Sequence, residues 1–188
     1  MATPQVPGLD LPPEVYAIFC SNIDQGSIQR IFSAAATASQ KKVKHIHLLF
    51  QSLGGSVSDG IALYNFFKTA PMDITLYNVG SVQSVGAIAY LGAKKRKTSA
   101  RATFVFHRVT GGAQATKAGA LKILAEGVVI DDRRTESIMR EHIHMPAEKW
   151  AVIDEGDLWF TAQDAIAAKI ADEIAEFTPP VGSIIFTL

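Results

Sequence analysis

One junction limits the fold more than any other stretch. The β-rich run Ile74-Thr75-Leu76-Tyr77-Asn78-Val79 passes through Gly80-Ser81-Val82-Gln83-Ser84-Val85-Gly86-Ala87 into the apolar helical run Ala87-Ile88-Ala89-Tyr90-Leu91. A strand that feeds straight into a buried helix belongs to a layered α/β architecture. It also places Ser84 near the first turn of the helix, where unpaired backbone N–H groups and the positive end of the helix dipole lie. That environment suits a nucleophile whose attack creates an oxyanion. Taken alone, the octapeptide reads first as a helix N-cap, because serine is a preferred residue there.

The rest of the chain alternates in the same way. Met1 to Glu14 holds Pro4, Pro7, Pro12 and Pro13 and reads as an extended arm. Val15–Cys20 and His45–Phe50 read as strands. Asp24–Gln40, with Ile28, Ile31, Phe32, Ala35 and Ala36 at helical spacing, reads as an amphipathic helix. Gln51 to Ser56 is a turn, and Val57 to about Thr69 is a helix ended by Pro71. Lys94-Lys95-Arg96-Lys97 reads as a solvated turn. Thr103–His107 is a strand, and Gly111-Gly112 marks a break. Thr116 to His142 is a long helical stretch whose interior Asp131-Asp132-Arg133-Arg134 is polar enough to face solvent or a partner chain. Pro146 opens a short helix, an acceptable first-turn position for proline. Leu158-Trp159-Phe160 is a short strand, Thr161 caps a helix from Ala162 to Lys169, and Asp172–Phe177 is an exit strand. No repeat or linker divides the chain, so residues 15–188 read as one domain behind the arm 1–14.

At 188 residues such a domain can bury a sizeable core. The formal net charge is zero, so no global basic field attracts nucleic acid. No apolar stretch approaches the roughly 20 residues of a membrane span, and no signal peptide is recognisable. The expected location is the cytoplasm. The single cysteine, Cys20, excludes a disulfide within the chain and reads as a buried, inert thiol.

Several residues could do chemistry. Gly54-Gly55, between a strand and a helix, resembles a phosphate loop, but no Gly-Lys-Ser/Thr follows and no GxGxxG is present. A glycine pair here can instead expose N–H groups to an oxyanion or an extended peptide. Of the five histidines, His45 and His47 share one strand face, and His142 and His144 end the long helix. Nothing ties these pairs together, and no carboxylate or cysteine pattern completes a ligand set, so no metal and no cofactor is expected. His107 closes the apolar run Phe104-Val105-Phe106 at a strand end, either as a satisfied core histidine or as a group delivered to a cleft. Among Asp154, Glu155 and Asp157, only Asp157 immediately precedes a strand. It could be a turn residue or could orient an imidazole as the third member of a triad does.

Four pieces in register resemble the proteolytic subunit of the Clp protease, a serine peptidase of the ClpP/crotonase fold. Gln51-Ser52-Leu53-Gly54-Gly55-Ser56-Val57 is similar to that family's Asn-Ser-Pro-Gly-Gly-Ser-Val, and the serine octapeptide to its Gly-x-Ala-Ala-Ser-Met-Gly. Phe104-Val105-Phe106-His107 with Gly111-Gly112 resembles its apolar-His-Gln-Pro-x-Gly-Gly. Gly156-Asp157-Leu158-Trp159-Phe160-Thr161-Ala162 resembles its Arg-Asp-x-Phe-Leu-Ser-Ala, and Ile170-Ala171-Asp172 its Gly-Leu-Ile-Asp. The resemblance implies an α/β fold with a repeated β-β-α superhelical core and a protruding handle helix over about residues 116–143. It implies Ser84 as nucleophile, His107 as general base and Asp157 as orienting acid, with the N–H groups of Gly55 and Val85 as oxyanion hole. Gly54, Gly111 and Gly112 would lie along an extended peptide or unfolded-protein substrate, with Gly111-Gly112 beginning the strand that pairs with it. It further implies a homo-oligomeric ring, heptameric or a stacked double heptamer, with handle residues Leu121, Leu124, Val128, Ile138 and Met139 needing a partner surface.

Departures from the family pattern bear on these expectations. Leu53 replaces the turn proline, Gln83 a small residue, Arg108-Val109 the Gln-Pro pair and Gly156 an arginine used where two rings join. The stretch from Gly112 to Ala115 is shorter than its counterpart. The family's axial loops are not recognisable in Met1–Glu14, which leaves an AAA+ ATPase partner open. Two other classes compete: a catalytically inactive ring subunit or scaffold, and a crotonase-type acyl-CoA enzyme, which shares the oxyanion hole but needs no Ser-His-Asp set.

Overall fold

A computed structural model describes residues 11–112 and 117–188. The chain is built from units that each lay down a strand, then a short extended piece, then a helix. Strand β1 (Glu14–Cys20) is followed by a bridge at Ile23 and helix α1 (Gln25–Gln40). Strand β2 (His45–Gln51) is followed by bridges at Ser52 and Gly55 and helix α2 (Val57–Thr69). The pattern then completes itself as β3 (Asp73–Asn78), β4 (Ser81–Gln83) and α3 (Val85–Leu91). It repeats as β5 (Lys95–Thr98), β6 (Thr103–Phe106) and α4 (Ala118–His142). Helix α5 (Ala147–Glu155), β7 (Leu158–Thr161), α6 (Ala162–Ala167), β8 (Glu173–Ile174) and β9 (Ile185–Thr187) close the chain.

The first strands of the units make a six-stranded sheet in the order β8-β5-β3-β2-β1-β9, and every pair in it is parallel. The second strands make a smaller sheet, β4-β6-β7, in which β4 and β6 are parallel and β7 runs antiparallel. This is the β-β-α core expected from the sequence. Alternation decides which face of the large sheet is buried. In β2, Ile46, Leu48 and Phe50 enter the core, while His45, His47 and Leu49 look the other way. An apolar groove lined by Leu11, Ala35, Ala38, Phe66, Phe186 and Leu188 lies on the core side beneath α1 and α2. Apart from Thr37 and Thr187 its lining is apolar, with no titratable side chain.

Helix starts follow local rules. Asp24 caps α1 with a reciprocal bond to Ser27, and Thr161 caps α6 with a reciprocal bond to Asp164. The side chain of Ser56 accepts from the Asp59 N–H at the start of α2.

Several sequence expectations are corrected. Lys94–Lys97 is no turn: Lys95–Thr98 is β5, paired on both sides in the large sheet. Its charges are tolerated because Asp172 binds Arg96 at 2.9 Å and Glu173 meets Lys97 at 3.2 Å. Cys20 is exposed, because β1 ends there and the alternation turns its side chain outward. Glu14 belongs to β1, and Pro13 is already tied to the sheet by accepting from the Lys44 and His45 N–H groups. The exit strand shortens to Glu173–Ile174. Ile138 and Met139 are buried in this chain's own core, and Val128 packs on Gly111. The unpartnered part of α4 is its first half, where Leu121, Ile123, Leu124, Val129 and Ile130 are exposed. Residues 1–10 of the arm, Thr116 of the handle and the shortened loop at 113–116 lie outside the described residues.

Candidate active site

The small sheet brings the three candidate residues to one end. Strands β4 and β6 run the same way, so Ser84 and His107 follow their neighbouring C-terminal ends. Strand β7 runs the opposite way, so the residue before it, Asp157, lies at that same end. The last antiparallel pair is Phe106 with Leu158, so His107 and Asp157 are the residues that directly adjoin the end of this ladder, Asp157 exposed to solvent. Strand order β4-β6-β7 therefore orders the residues as serine, histidine, aspartate. Ser84 and His107 line one concavity together with Gly55, Val57, Val85 and Phe106.

Ser84 is held in a rare backbone conformation. It stands at the N-cap of α3 with φ 53° and ψ −133°, and its side chain makes no cap hydrogen bond. An ordinary N-cap sits in the extended region and accepts a bond from the first turn. Ser84 does neither, so the capping explanation fails on its own terms. What fixes the turn is its surroundings. Ser84 N–H donates to the Val105 carbonyl at 2.8 Å, and Gln83 N–H donates to the Ser52 carbonyl at 2.9 Å. Gly54 makes room for it: a Cβ on Gly54 would lie 2.6 Å from the Ser84 Cβ. Gly86 backs onto Ser52, and Gly60 onto Val85, in the same tight cluster.

The glycine turn fits the backbone-donor role. Gly54 and Gly55 have φ of 108° and 150°, conformations open to glycine. The Gly54 carbonyl accepts from Ile23 N–H at 2.8 Å, and Ser56 N–H donates to the Ile23 carbonyl at 2.8 Å. Those bonds pin the turn while the Gly55 N–H has no partner among the described residues. The same is true of the Val85 N–H in the first turn of α3.

His107 is turned to another partner. Its Nδ1 lies 2.6 Å from the Arg108 carbonyl, and no hydrogen bond joins it to Ser84 or Asp157. Arg108, which sequence reasoning noted only as a departure, organises this loop. Its guanidinium donates to Asp154 at 2.7 Å and to Glu136 at 2.7 Å, and meets Asp132 at 3.3 Å. Asp132 also accepts from the Val109 N–H at 3.0 Å. The hydrogen bond from Arg108 is the main cause that holds the Glu136 carboxyl below its ordinary range, and Glu136 in turn raises Arg108. The polar interior of α4, read as facing solvent or a partner, is thus spent in part on this loop. Loop residues 107–112 carry no regular structure, so no strand begins at Gly111 among the described residues.

The other histidines are held apart by different partners. His142 Nε2 meets the Tyr64 hydroxyl at 2.9 Å, whereas His45 and His47 meet Thr75 and Tyr77. His144 is exposed. Among the described residues no hydrogen bond or ring contact joins the two pairs.

The stacked β-β-α units are those of the ClpP/crotonase-like α/β fold. A solved structure of a mutant ClpP1 from Listeria monocytogenes matches with a TM-score of 0.73 at 20% identity, covering 86% of this chain and 91% of that one. The chain belongs to the Clp protease family, whose model matches residues 13–178. The ATP-dependent Clp protease proteolytic subunit 2 of Corynebacterium diphtheriae is 31% identical over 141 residues, which span 74% of this chain and 70% of that protein. Subunit 1 of Mycobacterium tuberculosis is 30% identical over 139 residues, 73% of this chain and 69% of that protein. No described helix is long and apolar enough to cross a membrane.

Proposed function

We propose that this chain is a serine endopeptidase that cleaves extended peptides or unfolded proteins. Ser84 is the nucleophile, His107 the general base and Asp157 the acid that orients it. The Gly55 and Val85 N–H groups receive the oxyanion of the tetrahedral intermediate. Attack by the Ser84 Oγ on the scissile carbonyl would pass the hydroxyl proton to His107 Nε2. That proton would then go to the leaving amine as the acyl-enzyme forms, and water would release the acid product. Gly54, Gly111 and Gly112 lie along the path of the extended substrate. The working form is a homo-oligomeric ring in which the exposed first half of α4 meets another copy, with an AAA+ ATPase as candidate partner.

The observation that supports this reading is the β4-β6-β7 sheet end, where Ser84, on its strained turn, shares a concavity with His107, and Asp157 immediately precedes the strand paired with β6. One observation favours a second reading, a catalytically inactive ring subunit: the Nδ1 that should face Asp157 is bound to the Arg108 carbonyl. A peptidase must turn this ring before it can act.

A fluorophosphonate probe separates the two. Labelling of Ser84, lost in Ser84→Ala along with peptide cleavage, is the expected result. Removing a triad nucleophile typically lowers turnover about a millionfold. Equal peptide hydrolysis by wild type and Ser84→Ala would sink the triad, and failure of the wild type to label or cleave in its assembled form would favour the inactive subunit.

A further inference from the structure

The face of the large sheet turned away from α1 and α2 carries a second group of chemically capable side chains. His45 and His47, two residues apart on β2, project on this face. The parallel register sets Glu14, the first residue of β1, opposite His45, the first residue of β2. A carboxylate that is 31 residues away in sequence thus completes a set that the histidine spacing alone leaves incomplete. One ligand atom from each of Glu14, His45 and His47 lies within 4.8 Å of the other two.

Each ring has one nitrogen engaged by a hydroxyl of β3. His45 Nε2 is 2.7 Å from the Thr75 hydroxyl, and His47 Nδ1 is 2.9 Å from the Tyr77 hydroxyl. His45 Nδ1 and His47 Nε2 remain. The Nε2 of His47 is buried without a hydrogen-bond partner, 3.6 Å from the Glu14 carboxylate. A buried polar nitrogen left in this way costs free energy that a bound cation would recover. The rings are stacked, with centroids 4.0 Å apart, and Tyr16 stacks on His47 at 4.8 Å, so one imidazole must turn for both in-plane lone pairs to meet a shared ion.

We propose that Glu14, His45 and His47 bind one divalent transition metal of the zinc class, with a fourth position open to water. Two imidazoles and a carboxylate are donors suited to zinc. Thr75 and Tyr77 act as the outer hydroxyls that accept the far ring N–H and leave the lone pairs toward the metal. Lys95 and Lys97 oppose a cation here. Lys97 is paired with Glu173 at 3.2 Å, and Asp73, in register with His45 on β3, adds negative charge. The metal would join β1 to β2 at the point where the chain emerges from Pro12-Pro13, fastening the N-terminal segment to the domain. This site does not depend on Ser84.

The test is titration of Zn²⁺ into the chelator-treated full chain by calorimetry, with Co²⁺ absorption as a second readout. One Zn²⁺ per chain, a tetrahedral Co²⁺ spectrum and a rise in melting temperature are expected. The double variant His45→Ala/His47→Ala should lose all three. Tyr77→Phe should weaken binding about 10–100-fold, and His144→Ala should leave it unchanged. Absence of saturable binding would overturn the proposal. So would stoichiometric binding that survives in the double variant, which would place the ligands elsewhere. Should the double variant not fold, Glu14→Gln decides: its side chain is largely exposed, and undiminished binding without that carboxylate excludes the site.

Discussion

At Ser84 the backbone sits at φ 53°, in a region that residues with a Cβ seldom occupy. Such a conformation costs of order 1–3 kcal/mol and persists only where the surroundings over-determine it. Here they do so through bonds from Ser84 and Gln83 and through glycines on facing segments. Gly54→Ala therefore should do two things at once. It forces a side chain into φ 108° and pushes its Cβ to 2.6 Å from that of Ser84. A loss of about 1–3 kcal/mol in denaturant unfolding is expected, along with much slower probe labelling of Ser84. Wild-type labelling with wild-type stability would show that Gly54 does not shape the turn. The strand ends beside His107 and Asp157 were legible in the sequence, because pattern alone predicts β6 and β7, whereas the strand that leads into Ser84, β4, is defined only by its pairing. The orientation of His107 was not legible. It depends on Arg108 finding Asp132, Glu136 and Asp154, partners 24 to 46 residues away that no local pattern connects.

Helix α4 divides into halves with different tasks. Its second half buries Ile138 and Met139, and presents Glu136 and Asp132 to the loop after His107. Its first half leaves Ile123 72% and Ile130 58% exposed. Periodicity announced the helix but could not say which apolar residues this chain satisfies alone. Val128, the natural choice from the sequence for testing assembly, packs on Gly111 and would disturb the loop. Ile123→Asp is the cleaner change. It should lower the sedimenting mass at unchanged circular dichroism, whereas an unaltered assembly would mean that this half of α4 is not the contact. The loop makes its own prediction. Arg108→Gln removes the tethers to α4 and α5 and frees the carbonyl that engages His107 Nδ1. Labelling of Ser84 should become faster as the melting temperature falls. Slower or unchanged labelling would show that the clamp does not hold His107 away from Ser84. Strand β5 was misread for a related reason: Lys95-Arg96-Lys97 looks like a surface run until Asp172 and Glu173 are brought beside it.

For the molecule as a whole, burial of His142 between Tyr64 and the helix end gives a pH dependence of stability. Burial lowers the pKa of His142 from 6.5, outweighing the opposing effect of Glu141, with Arg96 and Lys68 acting in the same direction as burial. The unfolded chain thus takes up this proton first. The resulting stability is complete above the unfolded value and is lost as pH falls through the lower folded one. The melting temperature should drop as pH is lowered from about 6.5 toward 5, and His142→Gln should flatten that drop. An equal drop in the variant would assign it to other groups. The α/β class and the repeating units were readable because strand and helix signals alternate cleanly. Strands β4 and β9 were not, being three residues each and defined only by what they pair with. Strand β9 has a consequence for synthesis. It pairs with β1, and the Leu188 N–H donates to the Ile18 carbonyl at 2.9 Å, so the first described strand is flanked by the last. As the chain leaves the ribosome, one side of β1 stays open, an unpaired edge able to join with a neighbouring nascent chain until residues 185–187 arrive to cover it.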